Sequence, residues 1–326
     1  YKSKDLLHFE PQGTLLKPDT KYDSHGVYSG SAFEYQNHLY YMYTGNHRDQ
    51  HWNRISSQMI ARMNKDGKIE KFPKPVIHGQ PEGYTSHFRD PKVFEKNSQL
   101  YAILGAQNEN EMGRLLLYRS QDVVDWHFEG EIKTNLTQFG YMWECPNLLT
   151  FGDEHVLIFC PQDETDRCGY IIGTLDGLIF HVERGFTLLD YGTQFYAPQA
   201  TEENILLGWM GMPAHDETPT QGWVHTLTIP RRLWLEDNYL RQEPLWSALP
   251  ETGGREGFGS TIDVTGEGAY ALVDATGKEA FRVVQGGGTI SFNDGEPIAC
   301  PDGEMRLIAD GCAVEVFAGG GRIAAE

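Results

Sequence analysis

Four short polar motifs recur along this chain, each followed about ten positions later by an apolar, strand-like run. The motifs are Tyr28-Ser29-Gly30-Ser31, Phe88-Arg89-Asp90-Pro91, Trp143-Glu144-Cys145-Pro146 and Phe195-Tyr196-Ala197-Pro198, and the runs cover 39–44, 100–104, 155–159 and 205–209. Ser29 to Asp90 is 61 positions (90 minus 29), Asp90 to Glu144 is 54 (144 minus 90) and Glu144 to Tyr196 is 52 (196 minus 144). A recurrence of that size marks a chain assembled from similar units.

Each unit holds short segments rich in Tyr, Phe, Val, Ile and Leu, broken by Gly, Asp, Asn and Pro, which is strand chemistry punctuated by turns. Helix-spaced apolar patterns are scarce. A second recurrence, Ser3-Lys4-Asp5 before Phe9, Ser120-Gln121-Asp122 before Trp126 and Thr174-Leu175-Asp176 before Phe180, places a side-chain-stabilised turn ahead of an aromatic that starts an outer strand. Units of about four strands set around an axis make a β-propeller. Its innermost strands start near that axis, so Ser29, Asp90, Glu144 and Tyr196 are expected to converge. If the motifs were only turn hallmarks, the four slots would hold similar residues; they hold Ser, Asp, Glu and Tyr.

The net charge of −19 argues against nucleic acid or an anionic membrane as partner, because phosphate-rich surfaces reward clustered Lys and Arg. The aromatic content of 12% suits stacked sheets and also sugar faces. Five cysteines without metal-like spacing read as the reduced thiols of a cytoplasmic protein, and no metal or other cofactor is implied. No apolar run reaches the ~18 residues of a membrane-spanning helix.

Near residue 245 the aromatic-rich units give way to Pro and Gly, then to short alternating strands near 260–264, 270–273, 280–284 and 312–317. The expected division is a β-propeller over 1–245 and a small β-sandwich over 246–326, the sandwich short of strands and carrying exposed edges.

An Asp and a Glu on separate inner strands suit acid–base work on a glycosidic bond. Arg89 is placed to hold a substrate hydroxyl, and Trp143 to give Glu144 apolar surroundings. Taken singly, an Asp-Pro step is more often a turn and a lone Glu a solvated residue; their placement in repeated slots favours chemistry. Trp209 is a candidate pocket wall. His47, Arg48 and Arg54, in the loop after the first inner strands, are candidates for a phosphate or a leaving sugar, although loop charge is more often simply solvated.

Tyr-Ser-Gly-Ser-Ala at 28–32, Phe-Arg-Asp-Pro at 88–91, Glu-Cys-Pro at 144–146, Phe-Tyr-Ala-Pro-Gln at 195–199, Gly-Trp-Met at 208–210 and Glu-Val-Phe at 315–317 together resemble glycoside hydrolase family 32. That family comprises the invertases and sucrose-6-phosphate hydrolases. The resemblance implies an all-β chain, a five-bladed propeller with a C-terminal sandwich, and cleavage of β-fructofuranosides with retention. It implies Glu144 as general acid/base, Asp90 as transition-state stabiliser, and Tyr28, Ser29, Arg89, Tyr196 and Trp209 around the fructose. The segments 43–54 and 226–234 look more like the bacterial sucrose or sucrose-6-phosphate enzymes.

One family motif is missing. The nucleophilic Asp belongs to a Trp-Met-Asn-Asp-Pro-Asn-Gly type segment, and one repeat back from Ser29 falls upstream of Tyr1, so the chain is expected to begin inside a first blade and to lack normal turnover by itself. Two rival readings follow: a sugar-binding propeller without catalysis, and another five-bladed glycosidase acting on arabinan or xylan.

Overall fold

A computed structural model describes residues 1–165, 167–211, 225–246, 260–274, 276–293, 295–301, 303–311 and 313–326. The chain is all-β, a β-propeller followed by a β-sandwich. It forms two compact units, Tyr1–Arg167 with Ile171–Gly185, and Cys168–Tyr170 with Phe186–Glu326.

The first unit opens with a two-stranded ladder of Lys2–Ser3 and Phe9–Glu10. The first full sheet runs Val27–Tyr35, His38–Arg48, Arg54–Met63 and Ile69–Lys71, with Ile77–His78 also paired to its third strand. The second sheet runs Tyr84–Lys96, Gln99–Asn108, Gly113–Ser120 and Trp126–Glu131. The third runs Trp143–Phe151, Glu154–Pro161, Gly169–Asp176 and Ile179–Leu188. All four expected apolar runs are second strands, and Trp126 does start an outer strand; in the third sheet Ile179 starts it, one residue before the expected Phe180.

The first two sheets share one core, in which Phe33, Met42 and Ile60 pack with Phe88, Leu104, Leu116 and Trp126. Burying a side chain such as Phe88 stabilises the fold by roughly 1.5–3 kcal/mol. Ser31 fastens the two inner strands to each other: its Oγ donates to Pro91 O at 2.9 Å and accepts from Val93 N at 2.9 Å.

In the second unit Phe195–Ala200, Ile205–Met210, Arg231–Glu236 and Tyr239–Pro244 form a sheet, with Thr226–Leu227 paired to its second strand. The sandwich follows as two four-stranded sheets. One is Ser260–Thr265, Glu304–Asp310, Ala313–Ala318 and Ile323–Ala325; the other is Gly268–Val273, Glu279–Gly286, Thr289–Phe292 and Ile298–Ala299. Val283, Ile290, Leu307, Val316 and Ile323 fill the space between them. Of the expected sandwich features, Cys312, Pro250 and Gly253-Gly254 lie outside the described residues.

Candidate active site

All four motifs break their ladder at the same place. Pairing jumps from Tyr28 to Gly30, from Arg89 to Lys92, from Glu144 to Asn147 and from Tyr196 to Gln199, while the partner strand advances one residue fewer each time. Each jump is a β-bulge, the device that re-aims side chains beside functional sites. Three bulges have a local cause, because Pro91, Pro146 and Pro198 have no N–H for the ladder. The residues before them, Asp90, Cys145 and Ala197, carry positive φ of 61°, 47° and 48°. In the first motif Gly30 takes the strain instead: a Cβ there would stand 1.9 Å from Met42 O.

This register corrects the slot alignment expected from spacing. The equivalent positions before the bulge are Tyr28, Arg89, Glu144 and Tyr196, whereas Asp90 aligns with Cys145 and Ala197 inside the bulge. Asp90 and Glu144 therefore play unlike structural parts.

A bulge frees a backbone N–H, and buried N–H groups require acceptors. The Asp90 N–H goes to Thr44 Oγ1 of the first sheet at 3.1 Å, and the Cys145 N–H goes to Asp90 Oδ2 at 3.0 Å. The Thr44 hydroxyl donates in turn to Gln58 Oε1 at 2.7 Å, and Gln58 Nε2 donates to Phe88 O at 3.4 Å. Sheet one thus positions the Asp90 backbone, and Asp90 positions the turn that carries Glu144.

Arg89 joins the two carboxylates. Its Nη2 and Nε donate to Glu144 Oε1 at 2.6 and 3.1 Å, and its Nε lies 4.0 Å from Asp90 Oδ2. Further contacts are Gln162 Oε1 at 3.1 Å and His87 Nδ1 at 3.1 Å. The side chains are 9% exposed for Arg89, 6% for Asp90 and 16% for Glu144, so the glutamate is the most accessible of the three.

Burial pushes the Asp90 carboxyl up to about 6; Arg89 and the Cys145 N–H work against the rise and Glu144 adds to it. Burial opposes the Arg89 charge, yet Glu144 and Asp90 more than offset it and hold that guanidinium above its ordinary value. Burial, with Arg89 and Arg54, pushes His87 down. Burial and Asp90 also push the Cys145 thiol far up, which makes it an inert core cysteine.

Trp143 does not wall Glu144 as expected. Neighbouring residues of a strand face opposite ways, and the Trp143 ring stacks on Phe159 at 4.3 Å with its indole N–H on Phe139 O at 2.7 Å. Glu144 meets the Arg89 guanidinium instead. Of the residues expected in one site, Arg89, Asp90 and Glu144 are in direct contact, and Tyr28 and Ser29 occupy the corresponding bulge of the adjacent sheet. In the second unit Tyr196 pairs across the strands with Trp209, whose ring lies 4.9 Å from His225. The sequence reading missed His87, Gln162, Thr44 and Gln58; period-two alternation backward from Arg89 was the available signal for His87.

The fold and site thus define a β-propeller whose bulged inner strands bring an Asp and a Glu onto one guanidinium. The profile "Glycosyl hydrolases family 32 N-terminal domain" matches residues 1–244, and the chain belongs to glycoside hydrolase family 32. It is 53% identical over 260 residues to the sucrose-6-phosphate hydrolase of Staphylococcus xylosus, covering 75% of this chain and 53% of that protein. The Bacillus subtilis (strain 168) sucrose-6-phosphate hydrolase is 40% identical over 267 residues, covering 75% and 55%. The chain thus spans about half the length of these relatives. The structure of the Lactobacillus gasseri sucrose-6-phosphate hydrolase superposes with a TM-score of 0.86 at 28% identity, over 99% of this chain and 77% of that one. A Bombyx mori family 32 β-fructofuranosidase mutant in complex with sucrose gives 0.75 at 27% identity, over 92% and 73%.

Proposed function

We propose that this chain carries the acid–base half of a retaining β-fructofuranosidase that acts on sucrose or sucrose 6-phosphate. The observation that carries the reading is the Arg89 guanidinium within 4.0 Å of both Asp90 and Glu144. The names of the relatives supply the substrate class.

In this reading Glu144 gives a proton to the glycosidic oxygen as the glucosyl group leaves, then takes one from the water that releases fructose. Asp90 accepts hydroxyls of the fructosyl ring, and its bonds strengthen as positive charge develops there. Arg89 holds Glu144 and the substrate in register. Tyr28, Ser29, Tyr196 and Trp209 complete the fructose site, and the nucleophile is the Asp of the family's Trp-Met-Asn-Asp-Pro-Asn-Gly type segment. The catalytic domain is 1–245 and the sandwich 246–326, a division supported by the family match ending at residue 244. We place the protein in the cytoplasm, a reading supported by the free thiols of Cys145 and Cys168.

The test is product analysis with the full-length protein on sucrose, sucrose 6-phosphate and arabinan. Proton NMR of fresh product is expected to show fructose in the β-furanose form before mutarotation. Release of arabinose, or of inverted fructose, would overturn the reading.

A further inference from the structure

The second and third strands of the first sheet pair Thr44 with Gln58, Asn46 with Ser56 and Arg48 with Arg54, and the Arg48–Arg54 end continues beyond the pairings of the first and fifth strands. Period-two alternation puts these three rungs on one face. The lower rungs engage the inner strand of the second sheet: Gln58 bonds Phe88 O at 3.4 Å and Ser56 Oγ donates to Ser86 O at 3.0 Å. The top rung breaks this pattern. Two arginines stand directly opposite each other, an arrangement that repels.

Nothing described neutralises them. The ion pairs of the described residues engage Arg62, Arg89, Arg114, Arg119, Arg167, Arg231, Arg241, Arg282 and Arg306, but neither Arg48 nor Arg54. Asp49, the nearest carboxylate in sequence, is spent on its own turn, accepting from His51 N at 2.8 Å, Asn53 N at 2.9 Å and Asn53 Nδ2 at 3.0 Å. The buried Arg54 Nε has no acceptor, and Arg48 Nη1 meets only the Trp52 carbonyl, at 3.0 Å. Burial lowers the Arg54 pKa, and the charges of Arg89 and Arg48 lower it further while Tyr28 and Glu144 oppose them. Between the arginines in sequence the Trp52 ring is 66% exposed, edge-on to His25 at 5.4 Å and beneath the Arg48 guanidinium at 5.7 Å.

We propose that Arg48 and Arg54 bind the phosphate group of a phosphorylated sugar, with the Trp52 ring as the platform for that sugar. A phosphate monoester carries about −1.5 to −2 charges, which two guanidinium forks match and a neutral sugar does not. On a chain of net charge −19, an uncompensated cation pair also makes the choice selective, because anions are repelled elsewhere. Only the identity of the sugar, the leaving half of sucrose 6-phosphate, rests on the hydrolase reading.

Calorimetric titration of this chain with glucose 6-phosphate, glucose and inorganic phosphate tests the proposal without any turnover. Glucose 6-phosphate is expected to bind at least ~10-fold more tightly than either of the others. Arg48→Gln and Arg54→Gln should each erase that margin, a loss of ~10- to 100-fold for charge-assisted bonds, while Lys65→Gln, which removes equal charge from an exposed turn, keeps it. The melting temperature should not fall in Arg54→Gln, since a repulsion is relieved. A margin that is absent, that survives both arginine substitutions, or that inorganic phosphate matches overturns the proposal. Fructose release without phosphate preference would remove this site and leave the hydrolase; phosphate preference without fructose release would do the reverse.

Discussion

Among the described residues, two buried arginines, Arg231 and Arg89, each hold two carboxylates, and they differ in how far those carboxylates are exposed. Arg231 is sealed: its side chain is 0% exposed, with Asp190 at 2.7 Å and Glu315 at 2.8 Å. Gln242 Oε1 takes a further Arg231 bond at 3.0 Å, the Phe195 and Phe317 rings flank the guanidinium at 4.9 and 5.3 Å, and Glu315 Oε1 receives the Ile229 N–H at 2.6 Å. This cluster links a propeller sheet to the sandwich within the second unit, and burial raises its Glu315 pKa while Arg231 works against the rise. Arg89 holds Glu144 and Asp90 with the glutamate 16% exposed, beside strained bulges. Saturated and dry, the first cluster has nothing left for a ligand. The second leaves its glutamate, at 16% exposure, open to solvent.

The comparison breaks most readily at Arg231. Arg231→Met should destabilise the protein by about 3–5 kcal/mol, because it leaves two buried carboxylates unpaired; denaturant unfolding measures it, and a change under 1 kcal/mol would mean that the network is not structural. Glu144→Gln should slow sucrose cleavage by ~10²-fold or more with a melting temperature close to the parent's, the reverse of the Arg231 outcome.

Asp90 sharpens the contrast through pH. Its carboxyl is raised from 3.8 to about 6, so the neutral form is the better buried one: this penalty is absent below about pH 4, grows as pH rises, and is complete above pH 6. Asp90→Asn should therefore raise stability at pH 8 by on the order of 2–3 kcal/mol, leave it nearly unchanged at pH 4, and abolish turnover; equal shifts at both pH values would rule out the raised pKa. Arg89→Lys, which keeps the charge and loses the fork, should lower kcat/KM by about 10-fold, visible in steady-state kinetics with little change in melting temperature.

Much of the fold was legible because it depends on repetition. The four apolar runs and the aromatic turns located second and outer strands, since period and strand chemistry are local properties. What escaped was register. A bulge adds one residue, so spacing alone could not show that Asp90 matches Cys145 rather than Glu144, and this offset decides which side chain lies inside the bulge. Trp143 was misjudged for the same kind of reason: adjacency in sequence means opposite faces in a strand. Arg231 was visible only as part of the segment 226–234, because Asp190 and Glu315 are distant in sequence. Arg89, Asp90 and Glu144 were readable since each sits in a motif with a mechanical reason to be there, the proline-marked break of an inner strand.

Leaving-group dependence tests most directly the role of Glu144 as proton donor in an Arg89-held pair. Glu144→Gln in the full-length protein should be compared with the parent on sucrose and on an aryl β-fructofuranoside whose phenolate departs without help. The account predicts a loss of ~10²-fold or more on sucrose and less than ~10-fold on the aryl substrate. Equal losses on the two substrates would contradict it.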